Sequence, residues 1–280
     1  MQIIEAIAEL RQQVAAWRLA GERVAFVPTM GSLHDGHLAL VEHARKQADR
    51  VVVSIFVNPT QFGLDEDFER YPRALDDDIR ELGKVEVDLL FTPTAQVMYP
   101  LETLHAVEVE VKGITDILCG AYRPGHFTGV ATVVTMLLNL VQPDIAIFGE
   151  KDYQQLAVIR RMTRALHLPV EIVGSPTVRE ADGLAMSSRN RYLTAEERKI
   201  APVLYQTLQS AQAQLLSGER DFEAIQAMGM AQLEKAGFAP EYFAVHNIRL
   251  EVPKPTDSAW VVLAAARLGQ ARLIDNIQVP

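Results

Sequence analysis

Two histidines three residues apart, His34 and His37, lie in a glycine-containing stretch at residues 26–37. Gly31 and Gly36 have no Cβ atom, so the backbone there can turn sharply and approach a ligand closely. The three-residue spacing can aim both imidazoles to one side, and a helix predicted to begin near Gly36 directs its unpaired N–H groups to the same place. This combination favours an anion, and a nucleoside triphosphate is the obvious candidate.

The same two histidines allow other interpretations. They could be half of a metal site, but a structural zinc ion usually takes four protein ligands, and the only cysteine, Cys119, is far along the chain. They could also cap or pack a helix without taking part in chemistry, because short motifs often match by chance. The motif alone leaves these alternatives open.

Two amide side chains, Asn58 and Gln61, follow a run of β-branched residues at 50–57 that predicts a buried strand. A strand at 23–27, a helix and this second strand make a βαβ unit, which belongs to a parallel sheet. Both loops then lie at the carboxyl edge of the sheet, where ligands gather. Amides donate and accept hydrogen bonds, which suits a substrate with hydroxyl and carboxylate groups. The alternative is a local Asn-Pro turn.

An acidic run at 76–78 is a candidate magnesium site. Asp77 or Asp78 could bind Mg²⁺, because this ion is usually held by one or two carboxylates together with substrate phosphates. A solvated acidic face of a helix predicted at 73–83 is the alternative, and another acidic stretch occupies residues 65–67.

A second glycine-containing segment follows a strand predicted at 144–148. Gly149 permits close approach of a ligand, and Lys151 supplies a compact positive charge for a phosphate. Asp152 could cap the next helix or hold a ribose hydroxyl, and Gln155 lies three residues into that helix. This segment therefore repeats the chemistry of the histidine-containing one.

A further phosphate-binding candidate lies at residues 186–190. Ser187 and Ser188 supply two hydroxyls next to the guanidinium of Arg189, which can bind phosphate oxygens in bidentate fashion and stabilise charge on a leaving pyrophosphate. The motif alone is weak, so it depends on the segments described above.

The elements that must position these residues form an α/β pattern. With 280 residues, the chain is longer than a usual single domain. We expect a Rossmann-like parallel sheet flanked by helices in residues 1–176 and a smaller α+β domain in residues 177–280. Further helices are predicted at 3–19, 129–141, 195–216 and 221–237, and further strands at 88–92, 106–111, 169–173, 242–250, 259–266 and 271–277.

Composition narrows the class of protein. The chain is 49% hydrophobic and 22% charged, which is typical of a soluble globular enzyme. A net charge of −9 argues against a protein held to DNA or RNA by a broad basic face. One cysteine cannot form an internal disulfide, and neither a signal peptide nor a run long enough to cross a bilayer is evident. We expect a cytoplasmic protein with no nucleic-acid or membrane partner.

Taken together, these motifs closely resemble those of the pantothenate synthetases, the family of ligases that join pantoate to β-alanine. The likeness spans the first two-thirds of the chain, and the last third matches only in layout. Residues 34–37 (His-Asp-Gly-His) also fit the HxGH signature of a larger group of nucleotidyl-transferring enzymes with a Rossmann-like fold. Ser32 departs from the family, in which Asn or Ala is common. The matching segments are residues 28–37, 56–62, 71–73, 123–127, 148–155 and 186–190.

The resemblance implies a reaction in which the pantoate carboxylate attacks the α-phosphorus of ATP, giving pantoyl adenylate and pyrophosphate, before the β-alanine amine displaces AMP. It implies Mg²⁺, a homodimer, and His37 as acid catalyst. The residues implied in catalysis are His34, His37, Lys151, Ser187, Ser188 and Arg189. Those implied in ATP binding are Met30, Gly31, Ser32, Leu33, His34, Asp35, Gly36, His37, Gly149, Glu150, Lys151, Asp152, Val178, Met186, Ser187, Ser188 and Arg189. Asn58, Gln61 and Gln155 are expected to bind substrate, and Asp77 and Asp78 match the acidic run of the family.

Two other functions remain possible on the sequence. One is a different HxGH enzyme that transfers AMP from ATP to a phosphate acceptor. A phosphate acceptor would call for cationic side chains, whereas Asn58, Gln61 and Gln155 are neutral amides, which suit a small hydroxy acid better. The other is a nucleotide-sensing module without catalysis, which predicts no turnover in the unmodified protein.

Overall fold

The computed structural model describes residues 1–63, 68–100 and 106–280, so the acidic stretch at 65–67 lies outside the described residues. The strands are β1 (Gln2–Ile4), β2 (Val24–Thr29), β3 (Arg50–Ile55), β4 (Leu89–Phe91), β5 (Ile145–Gly149), β6 (Glu171–Ser175), β7 (Ala239–Asn247), β8 (Trp260–Leu268) and β9 (Ala271–Val279). The helices are α1 (Ile7–Leu19), α2 (Asp35–Arg45), α3 (Leu75–Lys84), α4 (Ala95–Met98), α5 (Cys119–Tyr122), α6 (His126–Val141), α7 (Tyr153–Ala165), α8 (Ala195–Ile200), α9 (Val203–Leu216) and α10 (Phe222–Lys235).

Contacts divide the chain into two compact units. The first unit comprises Met1–Glu150 and Val158–Pro176, and the second comprises Lys151–Ala157 and Thr177–Pro280. The domain boundary expected after residue 176 stays a prediction.

The first unit is built on a six-stranded parallel sheet with the order β1-β4-β3-β2-β5-β6. From β2, the chain adds β3 and then β4 on one side and β5 and β6 on the other, so a crevice forms beyond the carboxyl ends of β2 and β5. Ligands of doubly wound sheets bind at such a switch point. The Rossmann-like parallel sheet predicted from the sequence is confirmed.

The core of this sheet explains its continuous apolar strands. Residues 24–27 of β2 and 51–53 of β3 have no measurable exposure. Strands of a parallel sheet are covered on both faces, which requires apolar side chains at every position and not at alternate ones. Val41 and Ala44 of α2 pack into the same core, so the helix that begins at the paired histidines is held firmly against the strands.

The second unit has an antiparallel sheet with the order β7-β8-β9, as the predicted α+β pattern requires. Helices α9 and α10 bury Leu204, Leu208 and Ile225 in the same core cluster as Val262 and Leu273 of the strands. A capping box begins α8, because the Thr194 side chain accepts from the backbone of Glu197 and the Glu197 side chain accepts from the backbone of Thr194.

Three predictions about the elements were wrong. The chain has a short strand before its first helix, since Gln2–Ile4 pair with Leu89–Phe91. Residues 106–111 form no strand, and the N–H of Val109 donates to a side chain, Thr132 Oγ1, at 2.9 Å and not to a neighbouring strand. The long helix predicted at 195–216 is two helices, since Pro202 lacks the N–H that a continuous helix needs.

None of the helices in the described part of the chain combines the length and apolar character needed to span a membrane.

Candidate active site

The loop between β2 and α2 is a tight turn built on two consecutive left-handed residues. Gly31 has φ 79° and Ser32 has φ 52°. A Cβ atom on Gly31 would lie 2.9 Å from Asp78 Oδ2 and 3.0 Å from a methyl carbon of Ile55, so a side chain is excluded there by space as well as by conformation. Ser32 adopts a conformation that costs free energy for a residue with a Cβ atom, and this cost requires compensation elsewhere.

The carboxylate of Asp78 on α3 supplies that compensation. Its Oδ2 accepts the N–H of Ser32 at 2.8 Å and its Oδ1 accepts the N–H of Leu33 at 2.7 Å. The residue is only 3% exposed. Buried hydrogen bonds to a charged group are among the stronger ones in proteins, so Asp78 holds the loop in its strained conformation.

The expectation that Asp77 and Asp78 hold Mg²⁺ does not fit this arrangement. Asp78 is buried and uses both oxygens on the backbone, whereas Asp77 is on the exposed face of α3 and pairs with Arg80 at 2.5 Å. Successive helical residues point in different directions, which explains why adjacent carboxylates do not converge.

The two histidines form a capping box at the start of α2. The N–H of Gly36 donates to Nδ1 of His34 at 3.1 Å, and the N–H of His34 donates to Nδ1 of His37 at 3.4 Å. The rings lie 4.1 Å apart between centroids. A neutral imidazole that accepts at Nδ1 carries its proton on Nε2, so this arrangement gives two N–H donors on adjacent rings at a helix N-terminus.

The capping role that the sequence left open as an alternative is therefore present, and it fixes the orientation of both rings. Asp35, by contrast, is exposed on the first turn of α2, where its charge interacts favourably with the helix dipole.

The amides of the second loop are buried and interlocked. Asn58 is 1% exposed and Gln61 is 7% exposed. Asn58 Nδ2 donates to Gln61 Oε1 at 3.2 Å, and Gln61 Nε2 donates to the sulfur of Met30 at 2.8 Å. Tyr99 donates its hydroxyl hydrogen to Asn58 Oδ1 at 2.8 Å, and burial raises the pKa of this tyrosine. The structure thus brings Asn58, Gln61 and Met30 together, as the predicted convergence of loops at the sheet edge requires.

The backbone of Gln61 is held from the start of α6. Its carbonyl oxygen lies 2.8 Å from Nδ1 of His126, and Nε2 of the same ring lies 3.0 Å from a guanidinium nitrogen of Arg123. A carbonyl can only accept and a guanidinium can only donate, so His126 is the neutral tautomer protonated on Nδ1. Gly129 allows the close packing of α6, because a Cβ atom there would lie 2.4 Å from the carbonyl oxygen of Thr60.

In the second unit, the segment that carries Lys151 is tied to β9. Asn276 Nδ2 donates to the carbonyl oxygen of Lys151 at 2.9 Å, across 125 positions of sequence. The Lys151 side chain is 19% exposed, and its Nζ lies 3.9 Å from Asp152. Two residues on, the Tyr153 hydroxyl donates to the carbonyl oxygen of Ile248 at 3.0 Å. The segment is thus fixed at two points within its own unit.

A short hairpin brings together Val178 and Met186, both of which were expected to contact ATP. The N–H of Met186 donates to the carbonyl oxygen of Val178 at 3.0 Å, and Arg179 forms a β-bridge with Ala185. The hairpin turns at Gly183, which has φ 92°. The hydrogen bond places the two residues side by side, and their contact with ATP stays a prediction.

The hairpin is anchored to β9 by a buried ion pair. Arg179 donates to both oxygens of Asp275, at 2.6 and 3.0 Å, and its guanidinium stacks on the ring of Tyr205 at 3.6 Å from the centroid. Burial raises the pKa of Asp275, and the Arg179 guanidinium opposes that effect. A bidentate pair of this kind fixes both partners in direction as well as distance.

The phosphate-binding candidate at residues 186–190 follows the hairpin, and a short 3₁₀ helix begins there at Ser188. Ser187 Oγ accepts the N–H of Arg189 at 3.3 Å, and the Ser188 side chain is buried. Of the two serines, Ser187 thus has a structural role that sequence reasoning did not anticipate. Arg189 is half-buried in this turn.

The residues predicted to bind ATP or substrate are divided between the two units. The group of the first unit consists of Met30, Gly31, Ser32, Leu33, His34, Asp35, Gly36, His37, Asn58, Gln61, Gly149 and Glu150. The group of the second unit consists of Lys151, Asp152, Gln155, Val178, Met186, Ser187, Ser188 and Arg189.

Several residues that shape these groups were missed or misread by sequence reasoning. Asp78 was interpreted as a metal ligand, and Asn276 and Asp275 were not singled out. A signal existed for the last two, because consecutive polar residues interrupt the alternation of the apolar strand β9. For Asp78 no comparable signal exists, since adjacent aspartates at the start of a helix usually indicate a solvated face.

Comparison with known proteins identifies the family. The sequence matches the pantoate-beta-alanine ligase family over residues 2–278. It is 54% identical over 278 residues to the pantothenate synthetase of Pseudomonas putida strain KT2440, covering 99% of this chain and 97% of that protein. It is 56% identical over 273 residues to the pantothenate synthetase of Shewanella sp. strain ANA-3, with 97% of each chain covered.

Solved structures agree with this assignment. The fold is similar to that of pantothenate synthetase from Thermus thermophilus, with a TM-score of 0.93, 48% identity and all of both chains covered. It is also similar to a pantoate-beta-alanine ligase from Francisella tularensis complexed with beta-gamma ATP and beta-alanine. For that structure the TM-score is 0.83, with 34% identity and coverage of 99% of this chain and 97% of the other. The chain therefore belongs to the pantoate-beta-alanine ligase family and is an enzyme of the ligase class.

Proposed function

We propose that this ligase joins pantoate to β-alanine in two steps that consume ATP. In the first step the pantoate carboxylate oxygen attacks the α-phosphorus of ATP, and the bond to pyrophosphate breaks. In the second step the amine of β-alanine attacks the acyl carbon, and AMP leaves as the amide forms. Membership of the family supports the overall ligation, and the relative from Francisella tularensis complexed with beta-gamma ATP supports the use of ATP.

The observation that carries the proposal is the pair of imidazoles at the start of α2. Their Nδ1 atoms accept from backbone N–H groups, so we assign the protonated Nε2 atoms of His34 and His37 as donors to phosphate oxygens. The helix N-terminus adds a favourable field for negative charge. Transfer of a nucleotidyl group depends mainly on positioning and on neutralising charge, and such a cradle supplies both.

We assign roles to the remaining residues on the same basis. His37 serves as acid catalyst, and Lys151 and Arg189 neutralise phosphate charge, with Ser187 and Ser188 as hydrogen-bonding partners. The other expected ATP contacts keep that assignment: Met30, Gly31, Ser32, Leu33, His34, Asp35, Gly36, Gly149, Glu150, Asp152, Val178 and Met186.

The three amide side chains are assigned to pantoate. Asn58, Gln61 and Gln155 each carry a donor and an acceptor, which match the hydroxyl and carboxylate groups of this substrate. Asn58 serves chiefly by holding Gln61, since both of its amide hydrogens donate within the protein, to Gln61 Oε1 and to the Gly129 carbonyl oxygen. A Gln61 side chain fixed before binding loses little conformational freedom when substrate arrives.

Further properties belong to the proposal. ATP enters with Mg²⁺, which we assign to the phosphate oxygens and water and not to Asp77 or Asp78, in line with the preference of this ion for phosphates. The enzyme works as a homodimer in the cytoplasm, where ATP is abundant and a single cysteine stays reduced.

The decisive experiment measures AMP and pyrophosphate from ATP, pantoate and β-alanine, with each substrate omitted in turn. We expect pyrophosphate from ATP and pantoate alone in an amount close to that of the enzyme, and AMP with multiple turnovers only when β-alanine is added. Pyrophosphate release that does not need pantoate would instead indicate a nucleotidyltransferase with a different acceptor. Absence of turnover with all three substrates would indicate a nucleotide-sensing module.

A further inference from the structure

We infer that Asn276 of β9 is a positioning residue for the proposed phosphate-binding Lys151. The inference rests on the proposed function, because it concerns a residue assigned there to ATP. It deepens that function by placing part of the control of ATP binding in the last strand of the second unit, 125 positions along the chain from Lys151.

The contact that carries the inference is a hydrogen bond from a side chain to the backbone. Asn276 Nδ2 donates to the Lys151 carbonyl oxygen at 2.9 Å, and Asn276 is 6% exposed. A buried amide that bonds the backbone of a cationic residue restricts the peptide from which the cationic side chain extends. The Lys151 side chain is only 19% exposed, so its neighbours limit the conformations that it can adopt. A movement of its backbone is therefore passed on to the position of its ammonium group.

Asn276 is in turn fixed by its neighbour on β9. The N–H of Asn276 donates to Asp275 Oδ1 at 2.8 Å, and Asp275 is 3% exposed and holds Arg179 in a bidentate pair. Arg179 also donates to the Asn276 carbonyl oxygen at 3.3 Å. Two adjacent residues of one strand therefore hold two separate parts of the second unit: the Lys151 segment, and the hairpin that precedes Arg189.

The strand register makes this arrangement rigid. Asn276 pairs with Leu263 and Asp275 pairs with Ala264 on β8, and both partners are buried. Although β9 is the edge strand of this sheet, the Asn276 backbone is held by pairing with β8 and by its bonds to Asp275 and Arg179, so its amide extends from a fixed stretch of backbone. Such a donor suits the fine placement of a ligand-binding residue better than a donor on a loop.

The test is a double-mutant cycle with Asn276→Ala, Lys151→Ala and the variant carrying both changes. AMP formation is measured at varied ATP with saturating pantoate and β-alanine, which gives kcat/KM for ATP. It is then measured at varied pantoate with saturating ATP and β-alanine, which gives KM for pantoate. The ATP dissociation constant is measured by calorimetry. Losing one buried hydrogen bond corresponds to a change of about 3- to 10-fold, so Asn276→Ala should lower kcat/KM for ATP by about that factor. The KM for pantoate should change by less than roughly twofold, because the loss concerns only the nucleotide.

Two comparisons separate positioning from a general structural effect. In the Lys151→Ala protein, Asn276→Ala should change the ATP dissociation constant by less than roughly twofold, because the residue it positions is already gone. Gln212→Ala is the matched control: the Gln212 amide also donates to a backbone carbonyl oxygen of the second unit, that of Gln278 on β9, at 2.7 Å. This variant should behave as the unmodified enzyme.

The possible failures are distinct. Equal effects of Asn276→Ala in both backgrounds, or a matching loss in Gln212→Ala, would overturn the inference in favour of a general role in folding. Unmodified kinetics in Asn276→Ala together with strong impairment in Lys151→Ala would overturn the inference and leave the proposed function intact. Unmodified kinetics in Lys151→Ala would instead remove the assignment of Lys151 to ATP on which the inference rests.

Discussion

Replacing Asp78 should weaken ATP binding although this side chain is buried beneath the loop. Asp78→Ala removes the acceptor of two buried N–H groups, those of Ser32 and Leu33. Bonds to a charged acceptor contribute about 1.5–3 kcal/mol each, or about 3–6 kcal/mol for two if they add. Removing a buried carboxylate recovers part of that, because an ionised group is costly to bury. We expect a net loss of about 2–4 kcal/mol.

Much of this loss should appear in the loop and not in the whole fold. Gly31 and Ser32 hold left-handed conformations that the Asp78 bonds compensate. Without those bonds the loop populates other conformations, and apparent affinity falls in proportion to the competent fraction. A shift of about 1.4–2.8 kcal/mol in that equilibrium corresponds to about 10- to 100-fold weaker binding of ATP.

The assay combines calorimetric titration with ATP and denaturant unfolding of the same proteins. Asp76→Ala is the matched control, since Asp76 is an exposed carboxylate in the same first turn of α3 and should leave ATP affinity unchanged. Asp77→Ala tests the magnesium alternative. If Asp77→Ala and Asp78→Asn both weakened ATP binding, and high Mg²⁺ restored it in both, the carboxylates would be metal ligands and the reasoning would be refuted.

Three further results are expected. Gly129→Ala places a methyl group within 2.4 Å of the Thr60 carbonyl oxygen, so steady-state kinetics should show a KM for pantoate raised by about tenfold or more. Tyr99→Phe removes one hydrogen bond to Asn58, and the same assay should show a rise of about threefold. Burial lowers the pKa of His246, so the unfolded chain binds more protons at this residue than the folded protein does. The free energy of unfolding, measured with denaturant, should therefore fall as pH decreases from about 7.5 to about 5.5, and it should fall less in His246→Gln.

The sheet was largely predictable from the sequence because strongly apolar strands leave few alternatives. Residues 50–57 are β-branched or apolar at nearly every position, and residues 50–55 of this run form the buried strand β3. The exceptions have a physical cause. Gln2–Ile4 is too short to show a pattern, and residues 106–111 alternate like a strand although the N–H of Val109 donates to the side chain of Thr132. Local pattern does not reveal which group will satisfy a backbone N–H.

The candidate site divides in the same way. The histidines His34 and His37 and the amides Asn58 and Gln61 could be recognised from the sequence, because these side chains can bind a ligand directly. The residue that holds the histidine-containing loop was not, because Asp78 lies 45 and 46 positions from the two N–H groups that it binds. Hydrogen bonds across such separations depend on the assembled fold, and no spacing rule in the sequence indicates them.

The chain passes between its two compact units at 150/151, 157/158 and 176/177. Separating the units therefore needs more than one break in the polypeptide. A fragment ending at residue 176 would retain Lys151–Ala157 while lacking the Asn276 amide that holds their backbone, and the complementary fragment would keep that amide with nothing to hold. Attempts to express the two units as independent proteins should accordingly begin by transferring Lys151–Ala157 to the fragment that contains β9.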